Sequence, residues 1–171
     1  MKHEDLISTL FIFDFDDTLV RSGAQAHFVK DGKNMSLESH QINSDTFIGV
    51  DLEDVDFSEF DDYPPSPVII DIAYQKFVSS LKLDYAEVII LSGRGISTPI
   101  REFCNDHGAN GNYEIYTLSD HTSQGKYEFV KNYLTTKSFA KVIVYENDRD
   151  HIREIEKACE EFKVSCESFL I

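Results

Sequence analysis

Two patterns of apolar and polar positions alternate along this chain. Short runs rich in β-branched and aromatic residues predict buried strands, and the longer segments between them carry apolar residues at helical spacing. The predicted strands cover residues 9–13, 86–91, 113–118, 140–145 and 164–171. The predicted helices cover residues 67–83, 97–108, 126–133 and 151–162. Strands that alternate with helices indicate an α/β fold, a Rossmann-like parallel sheet sandwiched by helices.

The segment between the first strand and the first long helix does not follow this alternation. Asp31-Gly32 separates two short mixed runs and predicts a tight hairpin, because both central residues of a type I′ turn need positive φ. Residues 36–43 allow a short helix, and Tyr63-Pro64-Pro65-Ser66-Pro67 then breaks the chain. We therefore expect one domain over residues 1–171 that contains a small insertion at residues 23–66, placed as a flap over the end of the first strand.

The second half of this insertion is strongly acidic. Residues 51–62 carry seven acids in twelve positions, with apolar residues between them. A calcium-binding loop of the EF-hand type is not indicated, because Asp56 stands where such a loop has glycine. We interpret the stretch as a solvated acidic surface held to the protein by apolar anchors.

Composition limits the classes of function. The net charge is −15 and the sequence pI is about 4.6, which opposes non-specific binding to nucleic acid or to an anionic membrane. Near an anionic substrate, the same charge makes a metal ion more necessary. Cys104, Cys159 and Cys166 form an odd set without metal-ligand spacing and predict reduced thiols. With a charged N-terminus (residues 1–5) and no membrane-length apolar stretch, this indicates a cytoplasmic protein without a signal peptide.

Polar clusters follow three of the predicted strands. Asp14 and Asp16 follow the first strand, Ser92-Gly93-Arg94 the second, and Glu146 and Asp148 the fourth. Because the carboxyl ends of parallel strands share one edge of a sheet, we expect these clusters to converge there. Ionised carboxylates this close repel one another, unless a cation lies between them or one stays protonated. Carboxylate and carbonyl oxygens are the ligands that Mg²⁺ prefers.

The predicted cluster combines acids, a hydroxyl group and two cations, Arg94 and Lys126, a combination that fits phosphoryl transfer. A P-loop nucleotide site is not supported, because no glycine-rich loop ends in Gly-Lys-Ser/Thr. A serine hydrolase is not supported either, because Ser92 lacks the flanking residues of a nucleophile elbow.

Residues 9 to about 150 resemble the haloacid dehalogenase superfamily, whose members are mostly phosphatases with an aspartate nucleophile. Asp14-Phe15-Asp16-Asp17-Thr18 matches the first motif of that superfamily, Asp-x-Asp-x-Thr/Val. Ser92 after its apolar strand matches the second motif, and Lys126 at a helix start matches the third. The acids that follow residues 142–145 match the fourth, although they alternate with other residues, whereas many relatives have two adjacent acids.

This resemblance implies a role for each matched residue. Asp14 would attack phosphorus to form an aspartyl-phosphate, and Asp16 would protonate the leaving oxygen and later take a proton from water. Ser92 would bind a phosphoryl oxygen, and Lys126 would offset negative charge. The resemblance also implies Mg²⁺ held by the Asp14 carboxylate, by the Asp16 main-chain carbonyl, and by Asp148 or else Glu146.

Three further residues are expected at the substrate. Arg94 resembles an arginine of the second motif in polynucleotide-end phosphatases of the same superfamily and suits bidentate contact with phosphate. Gly93 and Thr18 accompany it, Thr18 also stabilising its turn, while Asp150 is expected to cap the helix that follows. The insertion is similar to that of small superfamily members encoded by bacterial viruses.

The resulting hypothesis is a Mg²⁺-dependent phosphomonoester hydrolase. Its expected substrate is a phosphorylated small molecule, a nucleotide or a nucleic-acid end, and no membrane partner is expected. Two alternatives stay open at this point. One is a catalytically weak binding or scaffold protein that docks a partner through its acidic, Phe-containing insertion. The other is phosphotransfer to an acceptor other than water. Substrate identity and oligomeric state are not determined by these patterns.

Overall fold

The computed structural model describes residues 9–43 and 45–171. The expectation about the charged N-terminus therefore lies outside the described residues. The strands are β1 Thr9–Phe13, β2 Val20–Arg21, β3 Gln25–Lys30, β4 Lys33–Glu38, β5 Val68–Ile69, β6 Ala86–Ser92, β7 Glu114–Thr117, β8 Lys141–Glu146 and β9 Ser165–Leu170. The α-helices are α1 Asp71–Ser80, α2 Thr98–Asp106, α3 Ser123–Thr136 and α4 Arg149–Glu161. Three 3₁₀ turns lie at Ser39–Gln41, Leu52–Asp54 and Ser58–Asp61.

Five of the strands form one parallel sheet in the order β7-β6-β1-β8-β9. The chain runs outward from β1 through β6 to β7, and then crosses to the other side of β1 to form β8 and β9. β1 is therefore central, and the strand order reverses between β1 and β8. In parallel α/β sheets, ligands bind outside the carboxyl ends of the strands at such a reversal. The expected parallel sheet flanked by helices is confirmed.

Alternate residues of β1 serve two separate apolar cores. Phe13 packs on one face of the sheet with residues of α1 and α2, including Phe77 and Phe103. Leu10 and Ile12 pack on the other face with residues of α3 and α4. Because side chains alternate across a strand, a run of consecutive apolar residues such as 10–13 can be covered on both faces. β1 is therefore held in the centre of the fold. The residues that follow it lie in the middle of the carboxyl edge of the sheet.

The insertion has a small core of its own. β2 and β5 pair in antiparallel fashion where the chain leaves the main fold and returns to it. Between them, β3 and β4 form the predicted hairpin, and Asp31 and Gly32 at its turn have φ values of 53° and 72°. The apolar anchors Val55 and Phe60 of the acidic stretch pack against this hairpin. The interpretation of that stretch as an anchored acidic surface is confirmed for these two residues.

The first helix begins later than its apolar pattern predicts. The expected helix at residues 67–83 is observed only at Asp71–Ser80, because Val68 and Ile69 pair with β2 instead. Helix α3 begins before Lys126, since the side chain of Thr122 accepts a hydrogen bond from Gly125 N and caps it. The expected stop of α2 at Gly108 is confirmed, with φ of 79° at that residue.

Candidate active site

The three predicted polar clusters converge on one cavity at the carboxyl edge of the sheet. The cavity has a volume of about 390 Å³ and is lined by Asp14, Asp16, Ser92, Gly93, Arg94 and Lys126. Residues from the insertion, including His40 and Phe60, line another part of it, as does the first turn of α4. The expectation that these strand ends meet is therefore confirmed.

A buried lysine joins two carboxylates at the base of the cavity. Lys126 Nζ lies 2.8 Å from Asp14 Oδ1 and 2.5 Å from Glu146 Oε2. The lysine side chain is 2% exposed, and those of Asp14 and Glu146 are 10% and 1% exposed. One cation therefore faces two anions in a poorly hydrated site, which leaves an excess of negative charge there.

In this site the pKa values of the two acids shift in opposite directions, that of Asp14 upward and that of Glu146 downward. Burial, and after it the charge of Glu146, raises the pKa of Asp14 to about 7, although Lys126 acts in the opposite direction. Burial would also raise the pKa of Glu146, but the charge of Lys126 and the hydrogen bond and charge of His151 together hold it below its usual range. Glu146 is thus the standing counter-ion of Lys126, and Asp14 is the carboxylate that is available to a ligand.

Thr18 supports Asp14 from within the protein. Its side chain is completely buried and its hydroxyl donates to Asp14 Oδ2 at 3.2 Å. Thr18 therefore orients the carboxylate of Asp14 and is not among the residues that line the cavity. Its expected contact with substrate stays a prediction.

Asp16 is held by three hydrogen bonds. Arg94 Nε donates to its Oδ2 at 2.7 Å, and Arg94 Nη2 donates to its Oδ1 at 2.8 Å. The hydroxyl of Ser22 also donates to Oδ1, at 2.8 Å. Both oxygens of the Asp16 carboxylate thus accept hydrogen bonds, which fixes the orientation of the group.

The place of Arg94 differs from the expected one. Its side chain is fully buried and donates hydrogen bonds to Asp16 and to main-chain carbonyls of the insertion. A bidentate contact with substrate phosphate, as the sequence predicts, would require these bonds to break. Arg94 is thus at the predicted edge of the sheet, but with a protein carboxylate as its partner.

Ser92 and Gly93 line the cavity at the end of β6. The hydroxyl oxygen of Ser92 accepts from Arg94 N at 3.2 Å, which leaves its own hydrogen for a ligand oxygen. A Cβ atom on Gly93 would lie 2.9 Å from the carbonyl oxygen of Asp120 and 3.0 Å from His121 Nδ1. Glycine is therefore required at position 93 for the loop around His121 to approach the cavity.

Asn147 is the functional candidate that the sequence reasoning missed. The atom of its side-chain amide that points into the site lies 3.3 Å from Asp14 Oδ2, 3.3 Å from the Asp16 carbonyl oxygen and 2.9 Å from Glu146 Oε1. If the amide nitrogen points into the site, it donates hydrogen bonds to these oxygens. If the amide oxygen points into the site, several oxygens lie close together, and a bound cation is needed to offset their repulsion. In the sequence, the position of Asn147 between two acids, directly after β8, is the signal that would have identified it.

The expected metal ligands of this segment have other partners. Asp148 accepts hydrogen bonds from Asp150 N at 2.7 Å and His151 N at 3.4 Å, so that Asp148, and not Asp150 as expected, caps α4. Glu146 binds Lys126 and accepts from the main-chain N–H groups of Asn147 and Asp148. Within residues 9–43 and 45–171, no three side chains of His, Cys, Asp or Glu are grouped as a metal site. A site for Mg²⁺ here would use Asp14, the Asp16 carbonyl and Asn147.

His40, His121 and His151 are among the residues that line the cavity. The ring of His121 is stacked on Phe57 at a centroid distance of 4.8 Å. His151 lies with Nδ1 3.4 Å from Glu146 Oε2. His27 does not face the cavity, because it binds Ser36 Oγ at 2.8 Å and Glu59 Oε1 at 2.7 Å within the insertion.

Comparison of the chain with protein-family models, with curated proteins and with solved structures gives no match in any of the three. The resemblance to the haloacid dehalogenase superfamily therefore rests on the matched sequence motifs alone. None of the helices in the described part of the chain combines the length and the apolar character needed to cross a membrane.

Proposed function

We propose that this protein is a Mg²⁺-dependent phosphomonoester hydrolase of the haloacid dehalogenase type that uses Asp14 as its nucleophile. The observation that carries the proposal is the buried Asp14–Lys126 pair at the base of an open cavity, with Asp16 and Ser92 on its wall. A carboxylate beside a fixed cation and a hydroxyl group provides a nucleophile and two groups for the charge of a phosphoryl group.

In the proposed first step, a carboxylate oxygen of Asp14 attacks phosphorus and the bond from phosphorus to the leaving oxygen breaks. Asp16, in its protonated form, gives this proton to the leaving oxygen and becomes a carboxylate. In the second step, Asp16 takes a proton from water as the water attacks phosphorus, which releases phosphate and restores the Asp14 carboxylate. Lys126 offsets the charge of Asp14 and the phosphoryl group throughout, and Ser92 donates to a phosphoryl oxygen.

The residues present fit a bound Mg²⁺. One atom of the Asn147 side-chain amide lies 3.3 Å from both Asp14 Oδ2 and the Asp16 carbonyl oxygen. With the amide oxygen in that place, the three oxygens would form a set of ligands that a hard cation prefers. When bound, the ion supplies a positive charge that lets an anionic substrate approach an acidic site. One carboxylate and two neutral oxygens form a site of low charge, so we expect weaker Mg²⁺ binding than in a site with two carboxylates.

The substrate class that we propose is a small phosphate ester, including nucleotides and the phosphorylated ends of nucleic acids. The insertion lines only part of the cavity, through residues such as His40 and Phe60, and leaves room for a leaving group. The exposed ring of His121 offers an aromatic surface to a planar leaving group such as a nucleobase. The net charge of −15 opposes long nucleic acids, whose phosphates would face an acidic surface.

A second candidate function is a binding protein that uses the acidic surface of the insertion to dock a partner. The observation that favours it is that Asp148 and Glu146, the expected fourth-motif ligands, are occupied by other partners. Such a protein has no use for the buried Asp14–Lys126 pair, which costs desolvation energy. The hydrolase is therefore preferred. Transfer to an acceptor other than water would use the same residues.

The test is phosphate release in the presence and absence of Mg²⁺, with wild type and Asp14→Asn compared. The substrates are 4-nitrophenyl phosphate, nucleoside monophosphates and oligonucleotides with 3′- or 5′-phosphate. We expect release that needs both Mg²⁺ and Asp14, with rates ranking the substrate classes. Asp84→Asn, an exposed aspartate outside the cavity, is the matched control and should keep full activity. A folded wild type that releases phosphate from no substrate would favour the binding protein.

A further inference from the structure

Arg94 connects the catalytic edge of the sheet to the insertion. In addition to its two bonds with Asp16, its Nη1 donates to the carbonyl oxygens of Phe60 at 2.6 Å and Asp62 at 3.0 Å. Its guanidinium lies 5.1 Å from the ring centroid of Phe15 and 5.7 Å from that of Phe60. A guanidinium has five N–H groups, so four of these are engaged inside the protein.

The two sets of bonds depend on each other. Arg94 is 1% exposed, and a buried cation is tolerated only when it is paired and fully hydrogen-bonded. Asp16 supplies the opposite charge, and the Ser58–Asp61 turn supplies the carbonyl of Phe60. Loss of either partner leaves part of the guanidinium without acceptors. The orientation of Asp16 and the docking of this turn are therefore linked in free energy.

Proton transfer makes this link relevant to catalysis. Ser22 and Arg94 together hold both oxygens of Asp16, which fixes the carboxylate beside the cavity. General acid–base catalysis depends on this kind of placement, since the group must come within hydrogen-bond distance of the leaving oxygen. A carboxylate that lost its guanidinium partner would rotate more freely and meet the leaving oxygen less often.

We propose that Arg94 is a positioning residue that aligns Asp16 and makes this alignment depend on the docked insertion. It acts through Asp16 and does not bind the substrate phosphate. The insertion therefore affects the acid–base step through Arg94, in addition to lining the cavity. The role of Asp16 in this inference rests on the proposed function, whereas the link between Asp16 and the insertion does not.

The first test uses the leaving group. We would measure kcat/KM of wild type and Arg94→Lys for 4-nitrophenyl phosphate, whose leaving group needs no proton, and for glycerol 3-phosphate, whose leaving group does. Arg94→Lys keeps the charge but loses the planar fork. We expect its kcat/KM for the alkyl ester to fall at least about tenfold more than for the aryl ester, within the range that general acid catalysis contributes. Asp16→Asn should show the same selective loss.

Arg101→Lys is the matched control for this test. Arg101 lies on α2, contacts the ring and carbonyl of Tyr113, and does not line the cavity. It should leave both substrates unaffected. An equal loss of kcat/KM on the two esters in Arg94→Lys, or a loss confined to KM, would overturn the positioning role and favour direct contact of Arg94 with phosphate.

The second test does not depend on activity. The amides of Phe60 and Asp62 donate to the carbonyls of Phe57 and Glu59, so their hydrogen exchange reports the docking of the turn. We expect Asp16→Asn to accelerate exchange in residues 57–62 about tenfold, while residues 25–38 of the hairpin keep their protection.

These two tests separate the possible failures. An inactive wild type in which Asp16→Asn still accelerates exchange at residues 57–62 would end the hydrolase proposal but keep the coupling. Unchanged exchange in that segment would overturn the coupling whatever the activity. Should Arg94→Lys not fold, Ser22→Ala, which removes the other donor to Asp16, takes its place in the leaving-group test, with the same selective loss expected.

Discussion

Replacing Asp14 by asparagine should make the metal-free protein more stable at alkaline pH. Asp14 shares a single buried cation, Lys126, with Glu146. Burial, followed by the charge of Glu146, raises the pKa of Asp14 to about 7, from 3.8 for an ordinary aspartate. Without a divalent ion, the ionised carboxylate therefore opposes folding. Asparagine keeps the shape of the side chain and a carbonyl oxygen for Lys126, but it removes the charge.

The sign and size of the effect follow from proton linkage. Between the unfolded and folded pKa values, the folded state binds more protons, so the stability of wild type falls as pH rises and becomes level above about pH 7. One pH unit within this window changes the free energy of unfolding by about 1.4 kcal/mol. The stability of Asp14→Asn relative to wild type should therefore increase by about 2 kcal/mol between pH 5.5 and pH 8.

Urea unfolding in EDTA at these two pH values measures the difference. Both lie above the sequence pI of about 4.6, which limits precipitation. Asp84→Asn, an exposed substitution, should show no such change with pH relative to wild type. In a second series, millimolar Mg²⁺ should stabilise wild type and have little effect on Asp14→Asn, since the variant lacks the only carboxylate of the proposed site.

A difference between Asp14→Asn and wild type that stays constant from pH 5.5 to pH 8 would refute this reasoning. It would mean that Asp14 ionises with an ordinary pKa and that Lys126 neutralises both acids. A variant that is less stable than wild type at pH 8 would lead to the same conclusion.

Three further substitutions test other parts of the site. Lys126→Met should lower the free energy of unfolding by about 3–5 kcal/mol in urea titrations at pH 8, because two buried carboxylates lose their cation; equal stability would contradict the buried network. Asn147→Ala should weaken Mg²⁺ binding, measured by calorimetry, about tenfold. Asp148→Ala should keep the Mg²⁺ affinity and lose about 1 kcal/mol of stability, because Asp148 caps a helix. The reverse result would make Asp148 the metal ligand. Gly93→Ala should displace the loop at His121 and reduce kcat/KM about tenfold or more, and full activity would show that the loop adapts.

Much of the fold could be predicted from local patterns. Residues 10–13 are all apolar, and such a strand has to be covered on both faces, which places it inside a parallel sheet. The turn at Asp31-Gly32 also follows from local chemistry, because its backbone angles favour these residue types. The start of α1 does not follow in this way. Residues 67–70 fit a helical stripe, but Val68 and Ile69 form hydrogen bonds with β2, a strand that is distant in sequence.

The convergence of Asp14, Asp16, Ser92 and Lys126 was determined by the sequence itself, because each residue follows or faces a strand whose place in a parallel sheet is general. Only the tertiary structure decided what each polar group binds. The sequence pattern predicts that Arg94 binds phosphate and that an acid of the fourth motif binds metal. In the folded chain, Arg94 donates hydrogen bonds to Asp16, and Asp148 caps the start of α4. The reason is physical: a buried charge must find its partner among whatever groups packing brings within about 3 Å, and these are set by segments far apart in sequence.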